Sequence, residues 1–376
     1  MVAPPDVAVV FPSAHQRGGV ERVAWDLLHF LVRDGRTVAF VGHDLAAGAD
    51  PRIRVVRVPG SPLLPAPVAF RRAATRVLSE LDPCNTVSLG ANCPPGDVLL
   101  VGSVHRSWLR AARTVPLLGR DVTAKIRYAM PRHLVLLGLE RAYFRDDRPR
   151  AVVCCSRREA DDLAELYAVS RDRLLVVPNG YDAEVFAPQP AARRAETRAR
   201  MGVQDDAVVL LLMANELHRK GFGTMLAAVA LLDDPRVQVA VVGRADIDGY
   251  LPEVRRLGLS GRVRWFGPTS DAASWYAGAD VLVLPSQYEP FGLVIIEALA
   301  TGLPVITTAL AGAADAIVPG VNGLLQDEPF DVAELAQLLA VAGDDATRAR
   351  WAAAAPATVT RFRQDVVFAE LAELLR

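Results

Sequence analysis

Two glutamates eight residues apart, Glu289 and Glu297, stand in the segment PSQYEPFGLVIIEALATGLPVITT at residues 285–308. The apolar run before it predicts a strand over 281–284, and the spacing after Gly292 predicts a helix over 293–300. A helix that opens at the carboxyl edge of a parallel strand presents free backbone N–H groups, which together with the helix dipole favour a phosphate. Phe291, Gly292 and Leu293 form that turn, and Gly292 lets the backbone approach a ligand closely. Glu297, further into the helix, can accept two hydrogen bonds from vicinal hydroxyls, as acids do for a ribose. Glu289 lies on the loop, where it can meet a sugar. Paired glutamates at this spacing are common by themselves. Their placement at a strand-to-helix junction is what points to a phosphate-bearing sugar ligand.

A second junction lies in MANELHRKGFGTMLAAVALL, residues 213–232, where a polar turn carries His218, Arg219 and Lys220 before Gly221 and a helix. Adjacent cations beside a helix start suit a diphosphate leaving group, whose charge grows as its bond breaks. Lys220 is one of only two lysines, with Lys125, among 42 basic residues. Near the amino end Gly18 and Gly19 lie between a strand and a helix, yet the complete GxGxxG dinucleotide pattern is missing. His105 falls on the loop expected after a strand over 98–101. The triplet Asp246-Ile247-Asp248 has no supporting acids, so no metal is expected there; Cys84, Cys93, Cys154 and Cys155 lack zinc spacing and read as reduced thiols.

These residues need a scaffold. A chain of 376 residues, 51% hydrophobic and 23% charged, is too long for one core and too apolar to be disordered, so two domains are expected. Strands are predicted over 7–11, 37–41, 53–58, 86–89, 98–101, 152–154 and 174–177, with helices over 20–33, 68–80, 124–145 and 157–167. After a Pro- and Gly-punctuated break near 180–190, strands are predicted over 208–213, 237–242, 263–266, 281–284, 305–307 and 323–325. Helices over 224–232, 293–300, 332–340 and 346–354 accompany them, and a last one over 359–375 follows a break at Pro356. The strands are continuous apolar runs, the pattern of parallel strands buried on both faces. The expected fold class is therefore α/β, two Rossmann-like doubly wound parallel sheets whose ligands bind beyond the carboxyl ends of the strands. The domains are placed at 1–180 and 181–358, with a terminal helix at 359–376.

Charge divides along the same line. Residues 1–180 carry 25 Lys+Arg and 18 Asp+Glu, net +7, and residues 181–376 carry 17 and 25, net −8. A basic first half, with ten Lys+Arg between Arg110 and Arg150, favours an anionic acceptor or an anionic membrane surface. No nucleic-acid module is recognisable. No apolar run approaches the roughly 20 residues of a spanning helix. The first residues lack a basic flank and a cleavage site, so a cytoplasmic protein is expected, peripheral at most to the inner membrane face.

The 285–308 segment resembles the E-x7-E signature of retaining, nucleotide-sugar-dependent glycosyltransferases of the GT-B fold, family 4 (glycosyl transferases group 1). The resemblance implies that Glu289 contacts the donor sugar, Glu297 the ribose, and Arg219 and Lys220 the departing diphosphate. It further implies that the Gly18-Gly19 loop lies by the donor phosphates and that His105 touches the donor sugar near the reacting carbon. Asn215 stands where many members carry an arginine, and the Arg219-Lys220-Gly221 run is similar to lipopolysaccharide core glucosyltransferases, as is RYAMPRHLVLLGLERAYF at 127–144. The implied reaction moves a hexose from a UDP-glucose or UDP-GlcNAc type donor to a hydroxyl, with retention and without metal or other cofactor. The acceptor would be a cell-envelope glycan or lipid precursor, or a small secondary metabolite. The nucleotide base is placed near 266–269, and the last helix is expected to cross back to the first domain. A nucleotide-sugar epimerase or sugar phosphorylase on the same fold is one alternative reading. A non-catalytic nucleotide-sugar binding protein is another.

Overall fold

The computed structural model describes residues 3–16, 18–60, 64–111, 129–145, 148–244 and 247–376. It divides into two compact units, Met1–Asn179 with Asp365–Arg376, and Gly180–Gln364.

The first unit contains β1 (Val7–Val10), the short β2 (Ser13–Ala14), β3 (Val38–Gly42), the short β4 (Asp44–Leu45), β5 (Arg54–Arg57), β6 (Asn85–Leu89), β7 (Val98–Leu100), β8 (Ala151–Cys154) and β9 (Leu174–Val176). Seven of these form one parallel sheet in the order β5-β3-β1-β6-β7-β8-β9. Strand β1 is wholly buried, and its side chains alternate between two layers. Val7 and Val9 meet Leu27, Leu28 and Leu31 of the helix Val20–Arg33, together with Val367 and Phe368 of the last helix. Ala8 and Val10 meet Phe70 and Ala74 of the helix Ala66–Leu81. Both faces are therefore covered, which explains the unbroken apolar runs.

The second unit contains β10 (Val208–Met213), β11 (Val237–Val242), β12 (Val263–Trp265), β13 (Val281–Leu284), β14 (Val305–Thr308) and β15 (Gly323–Gln326), all parallel, in the order β12-β11-β10-β13-β14-β15. The chain moves from β10 toward β11 and β12 on one side, then returns to lay β13 against β10, with Leu210 opposite Val281. The switch point of this sheet thus lies between β10 and β13.

Several elements depart from expectation. Pro356 does not break the chain: it lies inside the helix Asp345–Thr358. Only two helical residues follow it, so its missing N–H removes one bond of a final turn rather than dividing a helix. A short 3-10 turn, Thr360–Phe362, comes next, and the last helix starts only at Gln364. It ends the first unit's sequence-discontinuous core, with Val367, Phe368, Leu371 and Leu375 buried there. Helices Ala191–Met201, Leu251–Arg256 and Ala272–Gly278 were not expected from the apolar pattern, because they are short or, in the first, mostly Ala and Arg. The helix expected over 124–145 is described from Pro131 to Phe144; residues 124–128, with Lys125, lie outside the described residues. Among the described residues no helix is long and apolar enough to cross a membrane.

Candidate functional site

At the switch point of the second sheet the loop after β10 and the loop after β13 touch through their backbones. Gly221, at φ +74°, begins the helix Phe222–Leu232, and a Cβ added to it would lie 2.0 Å from the Pro285 carbonyl oxygen. The Gln287 backbone N–H donates to the Arg219 carbonyl at 3.0 Å. Its side-chain amide donates to the His218 carbonyl at 3.1 Å, and the Arg219 guanidinium donates to the Tyr288 carbonyl at 2.7 Å. These bonds bring together side chains 69 residues apart. The Lys220 ammonium contacts Glu289 Oε2, and an Arg219 terminal nitrogen lies 3.8 Å from the same oxygen. Arg219 also pairs with Glu216 at 2.9 Å.

Lys220 and Glu289 are both buried, at 9% and 7% exposure. Burial first, and then the neighbouring Arg219 guanidinium, push the Lys220 ammonium well below its ordinary range, while Glu216 opposes them. The Glu289 carboxylate in contact opposes the same shift. The loop that carries Glu289 is tied to the turn after β14: the Gly312 N–H donates to the Glu289 carbonyl at 2.9 Å and the Ala313 N–H to that of Phe291 at 2.8 Å. Gly292, at φ +98°, then starts the helix Leu293–Ala300 with no side chain capping it. A Cβ at Gly292 would come within 3.1 Å of Glu289 Cγ and 2.9 Å of Ile295 Cδ1. Leu293 is the first residue of that helix, and Glu297, 2% exposed, lies one turn on. Its Oε2 accepts a hydrogen bond from the Tyr276 hydroxyl at 2.8 Å. The result is one strand-edge site with two cations, a free helix start and two acids. Such a group can hold a diphosphate by charge and backbone N–H groups and hydroxyls by carboxylate.

The remaining expected residues lie in the first unit. Gly18 has φ +99° and a Cβ there would meet Glu21 Oε2 at 2.8 Å, while Gly19 precedes the helix Val20–Arg33 and has open space where a Cβ would stand. Both follow β1, which with β6 flanks the switch point of the first sheet. His105 is not on a loop: it begins the helix His105–Ala111. The physical reason is Glu140, whose carboxylate accepts the backbone N–H of His105 at 2.5 Å and that of Arg106 at 3.3 Å. His105 Nε2 lies 3.0 Å from His133 Nδ1, and its ring stacks on Trp108 at 5.5 Å. Burial, then His133 and Arg132, push the His105 imidazole down to about 4. His133 therefore has a specific placement that its own sequence neighbourhood does not announce, since the contact spans 28 residues.

Tyr276 and Gln287 are further residues of the second site that spacing did not single out. Phe266, where the base was placed, packs on Trp275 with ring centroids 4.8 Å apart. Asp246 lies outside the described residues, as does the 112–128 portion of the basic run. The four cysteines are free thiols, Cys84 exposed and the others buried.

Residues 193–358 match the family described as Glycosyl transferases group 1, and residues 17–185 match Glycosyltransferase Family 4. A D-inositol 3-phosphate glycosyltransferase of Xylanimonas cellulosilytica is 35% identical over 236 residues, 60% of this chain and 56% of that protein. One of Kribbella flavida is 38% identical over 207 residues, 50% of this chain and 47% of that protein. The matched stretch thus spans about half the length of these relatives. Among solved structures, WaaG, a glycosyltransferase involved in lipopolysaccharide biosynthesis, superposes with a TM-score of 0.85 at 21% identity over 98% of this chain and 99% of that one. Anabaena HepE in complex with UDP and glucose does so with a TM-score of 0.71 at 20% identity over 99% of each. With both units matched in turn and the fold shared end to end, the chain belongs to the family 4 glycosyltransferases, glycosyl transferases group 1, and has the GT-B fold.

Proposed function

We propose that the protein transfers a hexosyl group from a nucleoside diphosphate sugar to an acceptor hydroxyl, with retention at the anomeric carbon. The observation that carries this reading is the joining of Lys220, Arg219 and Glu289 across the β10/β13 switch point, beside the helix that holds Glu297. In the reaction, the bond from the anomeric carbon to the diphosphate oxygen breaks as the bond to the acceptor oxygen forms on the same face. Lys220, Arg219 and the backbone around Gly292 stabilise the growing negative charge, so a divalent ion is not required for that step. The departing diphosphate takes the proton of the acceptor hydroxyl, which makes a separate base unnecessary. Glu289 orients the donor sugar and Glu297 binds the ribose.

A UDP-sugar is the proposed donor, in keeping with the UDP and glucose held by HepE. The first unit takes the acceptor, and its net positive charge favours a phosphate-bearing one, in keeping with the name of the D-inositol 3-phosphate glycosyltransferase relatives. The basic run between Arg110 and Arg150 is proposed to approach anionic lipid from the cytoplasm.

Screening UDP-, GDP- and ADP-sugars for thermal stabilisation selects the donor, and product formation in cell extract then reports the acceptor. With that pair, Lys220→Ala is expected to lower turnover at least about 100-fold, the usual loss of an electrostatic stabiliser, and Glu297→Ala to raise the KM for the donor and so lower the rate below saturation. Wild-type rates in both variants would dismiss the site.

A further inference from the structure

The assignment of Glu297 to the ribose rests on the function proposed above, and it places a demand on geometry. A carboxyl group turns broadly about its terminal torsion. To accept from two hydroxyls at once it must be held in one plane, and a buried carboxylate must also find donors of its own. Tyr276 meets both needs: its hydroxyl donates to Glu297 Oε2 at 2.8 Å, and both residues are buried, at 1% and 2% exposure.

The tyrosine is itself fixed. It lies on the helix Ala272–Gly278, whose first turn is capped by Asp271, which accepts from the Ser274 N–H. Arg193 clamps that cap, donating to Asp271 at 3.0 Å and to the Ser274 hydroxyl at 2.7 Å. The Tyr276 ring packs against Phe186 with centroids 6.0 Å apart. A rigid donor on a capped helix therefore meets an acid on a second helix, and β13 with the Glu289 loop is the chain that joins the two helices.

We infer that Tyr276 is a positioning residue for nucleotide recognition: its hydroxyl sets the plane in which the Glu297 carboxylate meets the 2′- and 3′-hydroxyls of a ribose. The residue then acts on ribose discrimination through Glu297 and leaves diphosphate binding alone.

The test uses the full chain and calorimetric titration. The ligands are whichever of UDP, GDP and ADP stabilises the wild type most, and its 2′,3′-dideoxy counterpart. Tyr276→Phe is expected to weaken the ribose nucleotide about 5- to 10-fold, the effect of one hydrogen bond, and to leave the dideoxy nucleotide unchanged. Glu297→Gln should lose the same preference, and the double variant should lose no more than the stronger single one. The melting temperature of each variant without nucleotide reports folding separately. Equal weakening of both nucleotides by Tyr276→Phe, as a merely structural role would give, overturns the inference, and so does no weakening of either. If Glu297→Gln keeps the wild-type ribose preference, the ribose reading itself falls. If Glu297→Gln loses it and Tyr276→Phe keeps it, only the positioning role falls. Failure of all three nucleotides to bind overturns both.

Discussion

Lys220 and Glu289 occupy one buried place with opposite charges, and each is the other's nearest answer to burial. Removing one partner of such a pair leaves an uncompensated charge, which costs more than the pair contributes. Lys220→Met alone and Glu289→Gln alone are therefore expected to destabilise the second unit by about 3–5 kcal/mol. The double variant should lose less than the sum, as a double-mutant cycle from urea titrations would show. His105 makes a different residue-scale prediction. Its imidazole is pushed down to about 4 in the folded chain, against an ordinary value of 6.5, so the unfolded chain takes up a proton first as pH falls. Stability from this group is present above pH 6.5 and is lost as pH falls from there toward 4. His105→Gln should flatten the wild-type decline in melting temperature over that window. An unchanged slope would show that the His133 contact and burial do not keep the ring neutral.

Helix starts dominate at the scale of elements. Gly221 holds a left-handed conformation, and the Pro285 carbonyl fills the space of its missing side chain. Gly221→Ala must push the β10 and β13 loops apart, so it should lower the melting temperature and weaken donor binding together, measured on the same preparation. The helix Arg157–Tyr167 carries another device. Ser156 accepts the Glu159 N–H and Glu159 accepts the Cys155 N–H, a reciprocal cap at the end of β8. Burial pushes the Glu159 carboxyl up to about 7 from an ordinary 4.5. The folded state is thus best served by the protonated form, and stability is lost as pH rises from 4.5 through 7, by on the order of 3 kcal/mol. Glu159→Gln keeps an acceptor without the charge. Its melting temperature should gain on the wild type between pH 5 and pH 8, and a constant difference would refute the shift.

For the whole molecule, the last helix decides how the chain is divided. Gln364–Glu373 follows the second unit in sequence but packs in the first, where Val367, Phe368, Leu371 and Leu375 join the core beside β1. Arg36 donates to the carbonyls of Leu375 and Ala372, and Arg150 to that of Leu374, so the chain end is bonded as well as buried. Phe368→Ala is expected to cost about 3–5 kcal/mol, in the range of large-to-small core substitutions. Hydrogen exchange should quicken across β1, β3 and β6 while β10, β11 and β13 keep their protection. Loss of protection in both sheets would mean that the two units unfold as one.

Much of this was legible in the sequence because its signals are local. Continuous apolar runs marked the buried strands from Val7–Val10 to Val305–Thr308, since a strand covered on both faces has no solvent side to alternate toward. Gly292 and Gly221 marked two helix starts, and the acids and cations beside them pointed to a phosphate-bearing sugar. Short helices such as His105–Ala111 and Ala272–Gly278 were not legible, because one or two turns carry too little period to stand out. Nor were contacts between distant segments. That Lys220 meets Glu289, that Tyr276 holds Glu297, and that Glu140 turns His105 into a helix start all depend on which strands become neighbours. Local residue patterns thus specify the long elements and the chemistry available at their ends. Which ends meet is a property of the folded sheets, because strand order is set by crossovers and burial over the whole sheet rather than by any ten residues of it.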